Sequence, residues 1–104
     1  MNSNEIDFTF EHIVFLSNRD LWNLLLETDN VTILKACIGA DNFVLVRVRS
    51  VFSKTACKYF NDDLIRFCTA SEQEIYTAQT RIVNIFRRLN RRGMIKDWNS
   101  LYAA

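Results

Sequence analysis

The sequence predicts an all-α fold, a single small bundle of about five to six helices. The chain of 104 residues has no proline and only two glycines, so it offers little of the punctuation that many short strands and tight turns require. Apolar residues recur at helical spacing along most of the chain, and residues suited to helix caps precede several of these runs. Hydrophobic residues make up 49% and charged residues 24%, which is typical of a globular domain and excludes a disordered chain.

The first elements are a tail, a lead-in and a helix. Residues 1–6 are expected to form a flexible tail, and the stretch FTFEHIVFL after them is either a short helix or an extended lead-in. Leucines at helical spacing then predict a helix from about Arg19 to Glu27. Its cap is either Ser17 or Asn18, because both side chains can accept a bond from the first backbone N–H groups.

Two more helices are predicted before residue 53. The segment NVTILKACIG predicts one helix, with Asn30 as its cap and Gly39 as its stop. The segment after it is ambiguous, because its valines alternate with arginines as in a strand. We interpret it as a helix capped by Asp41, since a lone strand would have no partner for its backbone groups. The helical face would comprise Phe43, Val44, Val48, Val51 and Phe52.

The second half predicts two longer helices. Ser53 is expected to cap the first, and Ser71 and Glu74 form a capping box for the second, which Gly93 ends. The first would turn inward Ala56, Cys57, Phe60, Leu64 and Phe67. The second would bury Ile75, Ala78, Ile82, Ile85, Phe86 and Leu89. One domain is therefore predicted over residues 7–95, with residues 96–104 as a C-terminal tail that can fold back onto it.

The residues provide little for catalysis or metal binding. His12 is the only histidine, and no Gly-rich phosphate loop occurs. Cys37 and Cys57 lie on apolar helical faces, and the third cysteine, Cys68, forms no CxxC pair with either, which fits a reduced cytosolic setting. No apolar run is long enough for a membrane span, and the polar N-terminus is unlike a signal peptide. We expect no enzyme activity, cofactor, metal or small-molecule substrate.

Two adjacent acids, Asp62 and Asp63, interrupt an otherwise apolar helical stretch. If the apolar stripe faces the core, Asp62 points outward together with Thr55, Lys58 and Arg66. Lys58, Asp62 and Arg66 are four residues apart, and two interpretations are open. They form an internally neutralised surface row, in which each pair contributes about 0.3–0.5 kcal/mol. Alternatively, they form a charged ridge that meets a charged partner.

A cluster of arginines lies near the C-terminus of the last helix, at Arg87, Arg88, Arg91 and Arg92. Such a cluster complements the negative end of the helix dipole, and it is also a candidate for phosphate contacts in nucleic-acid binding. The formal net charge is only +1, so the rest of the chain balances the cluster. This balance favours the first interpretation and makes nucleic acid the less expected partner.

Five segments in order resemble the C-terminal domain family of the bacterial flagellar motor switch protein FliG. The M-F-x-F hinge of that family resembles residues 7–10, without its methionine, and the D-R-x-(I/L)-Q-x-L-L helix resembles residues 18–25. The A-L-K-G-A turn, the S-x-R-A-A…D-D-L helix and the I…I-x-R-R-L-x-x-x-G helix resemble residues 36–40, 53–64 and 82–93. The acid pair and the F-x-F lead-in favour this family over the related helices of magnesium transporters.

The resemblance implies an armadillo-like right-handed helical bundle in the cytoplasmic switch ring of the flagellar basal body. It implies a ridge of Asp62, Asp63, Lys58, Arg66 and Thr55 that meets a stator protein of the MotA type. It further implies rotor partners of the FliM and FliG type, only an indirect association with the inner membrane, and a hinge at Phe8, Thr9 and Phe10.

The sequence departs from the family at three positively charged positions. These positions hold Ile38, Thr55 and Ser71 here, whereas both acidic positions keep their aspartates. Lys54 and Lys58 lie beside Thr55 and offer one way to rebuild the lost charge. The alternative is an adaptor or regulator that binds rotor subunits without engaging the stator.

Overall fold

The computed structural model describes residues 8–66 and 69–95, and over these residues the fold is all-α, as predicted. A short 3-10 helix and five α-helices follow one another: Phe10–Phe15, then α1 Asn18–Leu26, α2 Asn30–Ile38, α3 Asn42–Arg49, α4 Lys54–Arg66 and α5 Glu72–Arg91. The ambiguous valine-rich segment is therefore a helix. The two predicted tails lie outside the described residues.

Serine side chains begin three of the helices, as the sequence predicts. The hydroxyl oxygens of Ser17 and Ser53 each accept a bond of 3.1 Å from the backbone N–H three residues further on. Ser71 and Glu74 form the predicted capping box, in which each side chain accepts a 3.1 Å bond from the backbone N–H of the other. Gly93, with a φ of 74°, follows the end of α5, because glycine adopts this left-handed conformation without a steric cost.

The cap of α2 differs from the prediction. Asp29, not Asn30, is the N-cap, and Asn30 is the first residue of the helix. One carboxylate oxygen of Asp29 accepts a 3.1 Å bond from the backbone of Thr32, and the other accepts a 2.7 Å bond from the Thr32 hydroxyl. The bonds to Thr32 lower the pKa of Asp29. The predicted cap at Asn30 is therefore wrong by one residue, because Asp29 lies three residues before Thr32 and accepts both of its bonds.

One arginine fastens α3 to the start of α1. The Arg47 guanidinium donates 2.9 Å and 2.6 Å bonds to the Asn18 side chain and to the Leu16 carbonyl. The predicted apolar face of α3 is only partly buried: Val44 and Val48 are in the core, Val51 and Phe52 are half-buried beyond the helix end, and Phe43 is exposed. The helix ends before Val51 and Phe52, and Phe43 points about 100° away from Val44, so the five residues do not form one buried face.

α5 forms the centre of the core together with α2. Four of the six residues predicted to be buried on α5 are buried, namely Ala78, Ile82, Phe86 and Leu89, whereas Ile75 and Ile85 are half-buried. The approach to α2 is close, since a Cβ built on Gly39 would lie 2.6 Å from the Ile75 Cγ2 atom. The Gln79 side chain also donates a 3.0 Å bond to the Ala36 carbonyl across this contact.

α4 is attached to the body along a narrow line. Phe60 is its only buried residue, and its ring meets the Phe52 ring edge-on at a centroid distance of 5.4 Å. Cys57 and Leu64 are half-buried, and Phe67 lies outside the described residues. The prediction that Ala56 is in the core is wrong: Ala56 is exposed, because none of the described elements covers that side of the helix.

Candidate functional site

The outer face of α4 carries the side chains that the sequence singles out. Thr55, Lys58, Asp62 and Arg66 are all exposed, and Asp63 is half-buried at the edge of this face. This arrangement follows from the burial of Phe60 on the opposite side, since Phe60 lies about 160° around the helix from Asp62. We call the row Lys58, Asp62 and Arg66 the α4 ridge.

The charges of the α4 ridge are not paired with one another or with other described side chains. None of its three members makes an ion pair with a residue that the structure describes, although four-residue spacing permits such pairs. The ridge therefore presents a positive, a negative and a positive group about 6 Å apart along the helix axis. In water such charges attract a partner by only about 1 kcal/mol per pair at 4 Å, and salt screens the attraction.

Two apolar side chains on the same face were not singled out from the sequence. Tyr59 is 65% exposed and Ile65 is 77% exposed. They lie three residues before and three residues after Asp62, so they flank it on the outer face of the helix. Their spacing from Asp62 was a signal that could have identified them, but apolar residues in a mixed helix are first assigned to a core.

The F-x-F lead-in packs firmly onto α5. The Phe8 ring stacks on the Phe86 ring at a centroid distance of 3.6 Å and an interplanar angle of 8°, and Phe10 is buried. Thr9 is exposed, and its backbone N–H donates a 3.0 Å bond to the Nδ1 atom of His12. The single histidine therefore holds the start of the 3-10 helix.

The arginine cluster lies at the exposed end of α5. Arg87, Arg88, Arg91 and Arg92 are all exposed, as both a solvated helix end and a phosphate-binding surface require. Arg88 forms a 3.6 Å ion pair with Glu27 at the end of α1. The other three make no ion pair with the part of the chain that the structure describes.

The three positions at which the resemblance implies positive charge have different surroundings. Ile38 is half-buried in the last turn of α2, and Thr55 is exposed in the first turn of α4. Ser71 caps α5 through its hydroxyl. Only Thr55 therefore lies on the same face as the α4 ridge.

An open apolar pocket of about 160 Å³ lies between α2 and the start of α5. It is lined by Val31, Leu34, Lys35, Thr69, Ala70 and Glu74. Its two charged side chains bond to each other, since Lys35 and Glu74 form a 2.9 Å ion pair. The hydrogen bond from Lys35, followed by those from Ser71, lowers the pKa of Glu74 to about 2. This pair thus joins α2 to α5.

The described residues contain little else that could be reactive. Burial raises the pKa of the Cys37 thiol to about 12, although the nearby Arg49 opposes the shift. Within residues 8–66 and 69–95, no group of three or more histidine, cysteine, aspartate or glutamate side chains is placed to hold a metal. Over the same ranges, every helix is too short or too polar to cross a membrane.

Comparison with known proteins identifies relatives of one kind. The family model of the FliG C-terminal domain matches residues 4–96. The flagellar motor switch protein FliG of Aquifex aeolicus is 36% identical over 89 residues, which cover 86% of this chain and 27% of that protein. FliG of Thermotoga maritima is 31% identical over 88 residues, covering 85% of this chain and 26% of that protein. The chain thus spans about a quarter of the length of these relatives.

Solved structures have the same fold. The structure of full-length FliG from Aquifex aeolicus superposes with a TM-score of 0.80 at 36% identity, over 86% of this chain and 28% of that one. A crystal structure of a FliG fragment from H. pylori gives a TM-score of 0.82 at 24% identity, over 86% of this chain and 39% of that one, and shows the likeness of fold alone. The helical arrangement is the armadillo-like one of FliG C-terminal domains, and this chain belongs to the FliG C-terminal domain family.

Proposed function

We propose that this chain is a non-enzymatic interaction module of a bacterial flagellar motor switch complex, and that its α4 ridge meets the stator. The proposed site of action is the cytoplasmic face of the inner membrane at the basal body. One observation carries the proposal: a domain of the FliG C-terminal family presents, on its least buried helix, an exposed charged row that makes no ion pair with the described residues.

The ridge can act on a partner through charge order rather than net charge. Lys58, Asp62 and Arg66 alternate in sign, so a helix that carries the opposite alternation is attracted in one register only. A shift by one helical turn places like charges opposite each other, which is unfavourable. Such a surface suits a contact that must form and break repeatedly, because exposed pairs are individually weak.

The Phe8 and Phe10 packing provides a place where the orientation of the domain can be set. In the proposed role, the stacking of Phe8 on Phe86 fixes the direction in which the chain enters the domain. A change in that packing would shift an equilibrium between two orientations of the ridge, and rotor subunits of the FliM and FliG type would be the partners that sense it.

The capping role of Ser71 favours a second candidate function. One of the positions at which the resemblance implies positive charge is here used to begin α5, and the half-buried Ile38 occupies another, so neither of these two positions offers a charge to a stator. An adaptor that binds rotor subunits and does not engage the stator is consistent with these losses. The Lys58 side chain, one turn after Thr55, supports the stator role.

A titration against purified partners tests the proposal. The domain would be mixed with a MotA-type stator cytoplasmic loop, and separately with a FliM-type protein, at about 0.05 M and about 0.3 M salt. The Asp62→Lys/Asp63→Lys variant would be compared with Glu11→Lys/Glu72→Lys, which makes the same change of net charge at exposed acids outside α4.

The outcomes separate the candidates. Stator binding that is weakened by salt and lost only in the Asp62→Lys/Asp63→Lys variant supports the proposal. Binding to the FliM-type protein with the same affinity in both variants as in the wild type, without binding to the stator loop, supports the adaptor. Absence of both, with salt-dependent binding to unrelated duplex DNA, would contradict the motor role and favour the arginine cluster as a nucleic-acid surface.

A further inference from the structure

The outer face of α4 carries more than charge. Tyr59 and Ile65 lie on this face with exposures of 65% and 77%, and Ile65 is the most exposed large hydrophobic residue of those that the structure describes. Single exposed apolar residues are common on protein surfaces, and each alone would need no explanation. Here the two share one face with the α4 ridge, whose charges make no ion pair within residues 8–66 and 69–95.

Helical geometry places these side chains in one continuous surface. With Asp62 taken as the centre, Tyr59 and Ile65 point about 60° to either side, and Lys58 and Arg66 about 40° to either side. The five side chains therefore occupy about 120° of the helix circumference and about 12 Å of its length. An α-helix laid along α4 covers a strip of this width.

The rest of α4 does not explain the two apolar side chains. The helix is fixed to the body through Phe60 on its opposite side, and none of the described elements covers the outer face. Substituting polar residues at Tyr59 and Ile65 would therefore cost the fold nothing through lost packing. Their exposure is consistent with burial in a complex, where aromatic and aliphatic anchors supply most of the affinity.

We propose that Tyr59 and Ile65 are the anchor residues of the partner contact and that the α4 ridge sets its register. The partner is a stator helix that carries an acidic, a basic and an acidic residue at four-residue spacing, with apolar side chains beside them. Charge complementarity with Lys58, Asp62 and Arg66 defines this pattern. The proposal rests on the stator role given above and assigns the source of affinity within it.

The salt dependence of the binding affinity distinguishes apolar anchor residues from charged residues. Raising the salt shortens the range of the electrostatic attraction, so a contact made by charges alone disappears at high ionic strength. Burial of apolar side chains is not screened in this way. The proposal therefore requires a residual affinity at high salt, and that residual affinity must depend on Tyr59 and Ile65.

The test titrates the same MotA-type loop with the whole chain and two double variants. Tyr59→Ala/Ile65→Ala removes the anchors and keeps every charge. Phe43→Ala/Val46→Ala is the matched control, because these α3 residues are 58% and 56% exposed. Alanine is a strong helix former, so both variants are expected to fold, and circular dichroism checks that they do.

The expected result is at least a tenfold weakening by the anchor variant at both about 0.05 M and about 0.5 M salt, with the control unchanged. Wild-type affinity in the anchor variant, or an equal weakening by the control, would overturn the anchor assignment and leave the stator role standing. A wild-type chain that binds the loop at about 0.05 M salt and not at about 0.5 M salt would also overturn the anchors alone, whereas one that binds at neither concentration would overturn the stator role and the anchors with it.

Discussion

α4 and α5 are both amphipathic helices with capped starts, yet they do different things in the molecule. α5 buries four residues along its length and packs closely against α2. A Cβ atom at position 39 would lie only 2.6 Å from Ile75 Cγ2. α4 buries one residue and leaves its charged outer face without ion pairs to the described residues. α5 therefore maintains the fold, whereas α4 exposes its charged face to solvent.

The largest expected difference concerns the stability of the two helices. Ile82→Ala in α5 should lower the free energy of unfolding by about 3 kcal/mol, because it leaves a cavity at a fully buried position. Ile65→Ala in α4 should change it by less than about 0.5 kcal/mol, since Ile65 is mostly in water. Urea titration monitored by circular dichroism measures both, and similar losses would show that α4 is part of the core.

A methyl group at Gly39 should destabilise the contact between α2 and α5. Gly39→Ala places a Cβ 2.6 Å from Ile75 Cγ2, so Ile75 or the helix must move, and we expect a loss of about 1–3 kcal/mol. The φ of Gly39 is −94°, so backbone strain does not contribute. Ile75→Ala is the control: the double variant should lose less than the sum of the single losses, whereas additivity would contradict the steric explanation.

Removing the N-cap of α5 should also destabilise the protein more than removing the N-cap of α4, but both effects should be smaller than those above. Ser71→Ala breaks the capping box of α5 and should cost about 1 kcal/mol of global stability. Ser53→Ala removes one bond at the start of α4 and should act locally. Amide hydrogen exchange distinguishes the two effects: faster exchange in α4, with little change in the urea midpoint, is expected for Ser53→Ala. A lowered midpoint would mean that α4 unfolds only together with the core.

Acid should weaken the Lys35–Glu74 link between α2 and α5. The pKa of Glu74 falls from its ordinary 4.5 to about 2 on folding, chiefly because Lys35 donates a bond to it. Its contribution to stability is therefore present above pH 4.5 and is lost as the pH falls towards 2. Glu74→Gln should be less stable than wild type at neutral pH, and the difference should shrink over this window. A stability difference that stays constant over this pH window would contradict this role of the pair.

Local signals in the sequence were sufficient for the helices and for most of their caps. The capping box of Ser71 and Glu74 lies within four successive residues, so it could be predicted without any tertiary information. The sequence predicts Asn30 as the α2 cap, whereas the structure has Asp29, which is also a residue of capping type; the bonds from Thr32 that fix this position are seen only in the structure. Helical spacing also placed Ala56 in the core, although spacing cannot show whether another element covers it.

Contacts distant in sequence were outside the reach of those signals. The stacking of Phe8 on Phe86, the bonds from Arg47 to the start of α1 and the Lys35–Glu74 pair each join separate elements. The outward direction of Asp62 could be predicted from helical spacing. The absence of ion pairs within the α4 ridge could not, since four-residue spacing permits a pair without requiring it.

The most direct test of the account is to map where a partner touches the domain. An isotope-labelled chain would be titrated with the MotA-type loop while amide chemical shifts are followed by NMR, with the Glu11→Lys/Glu72→Lys variant as the control for net charge. We expect the largest changes in amide chemical shift at Lys58, Tyr59, Asp62, Ile65 and Arg66, with the shifts of α5 unchanged. Shifts concentrated at the arginine end of α5, with α4 unaffected, would contradict it.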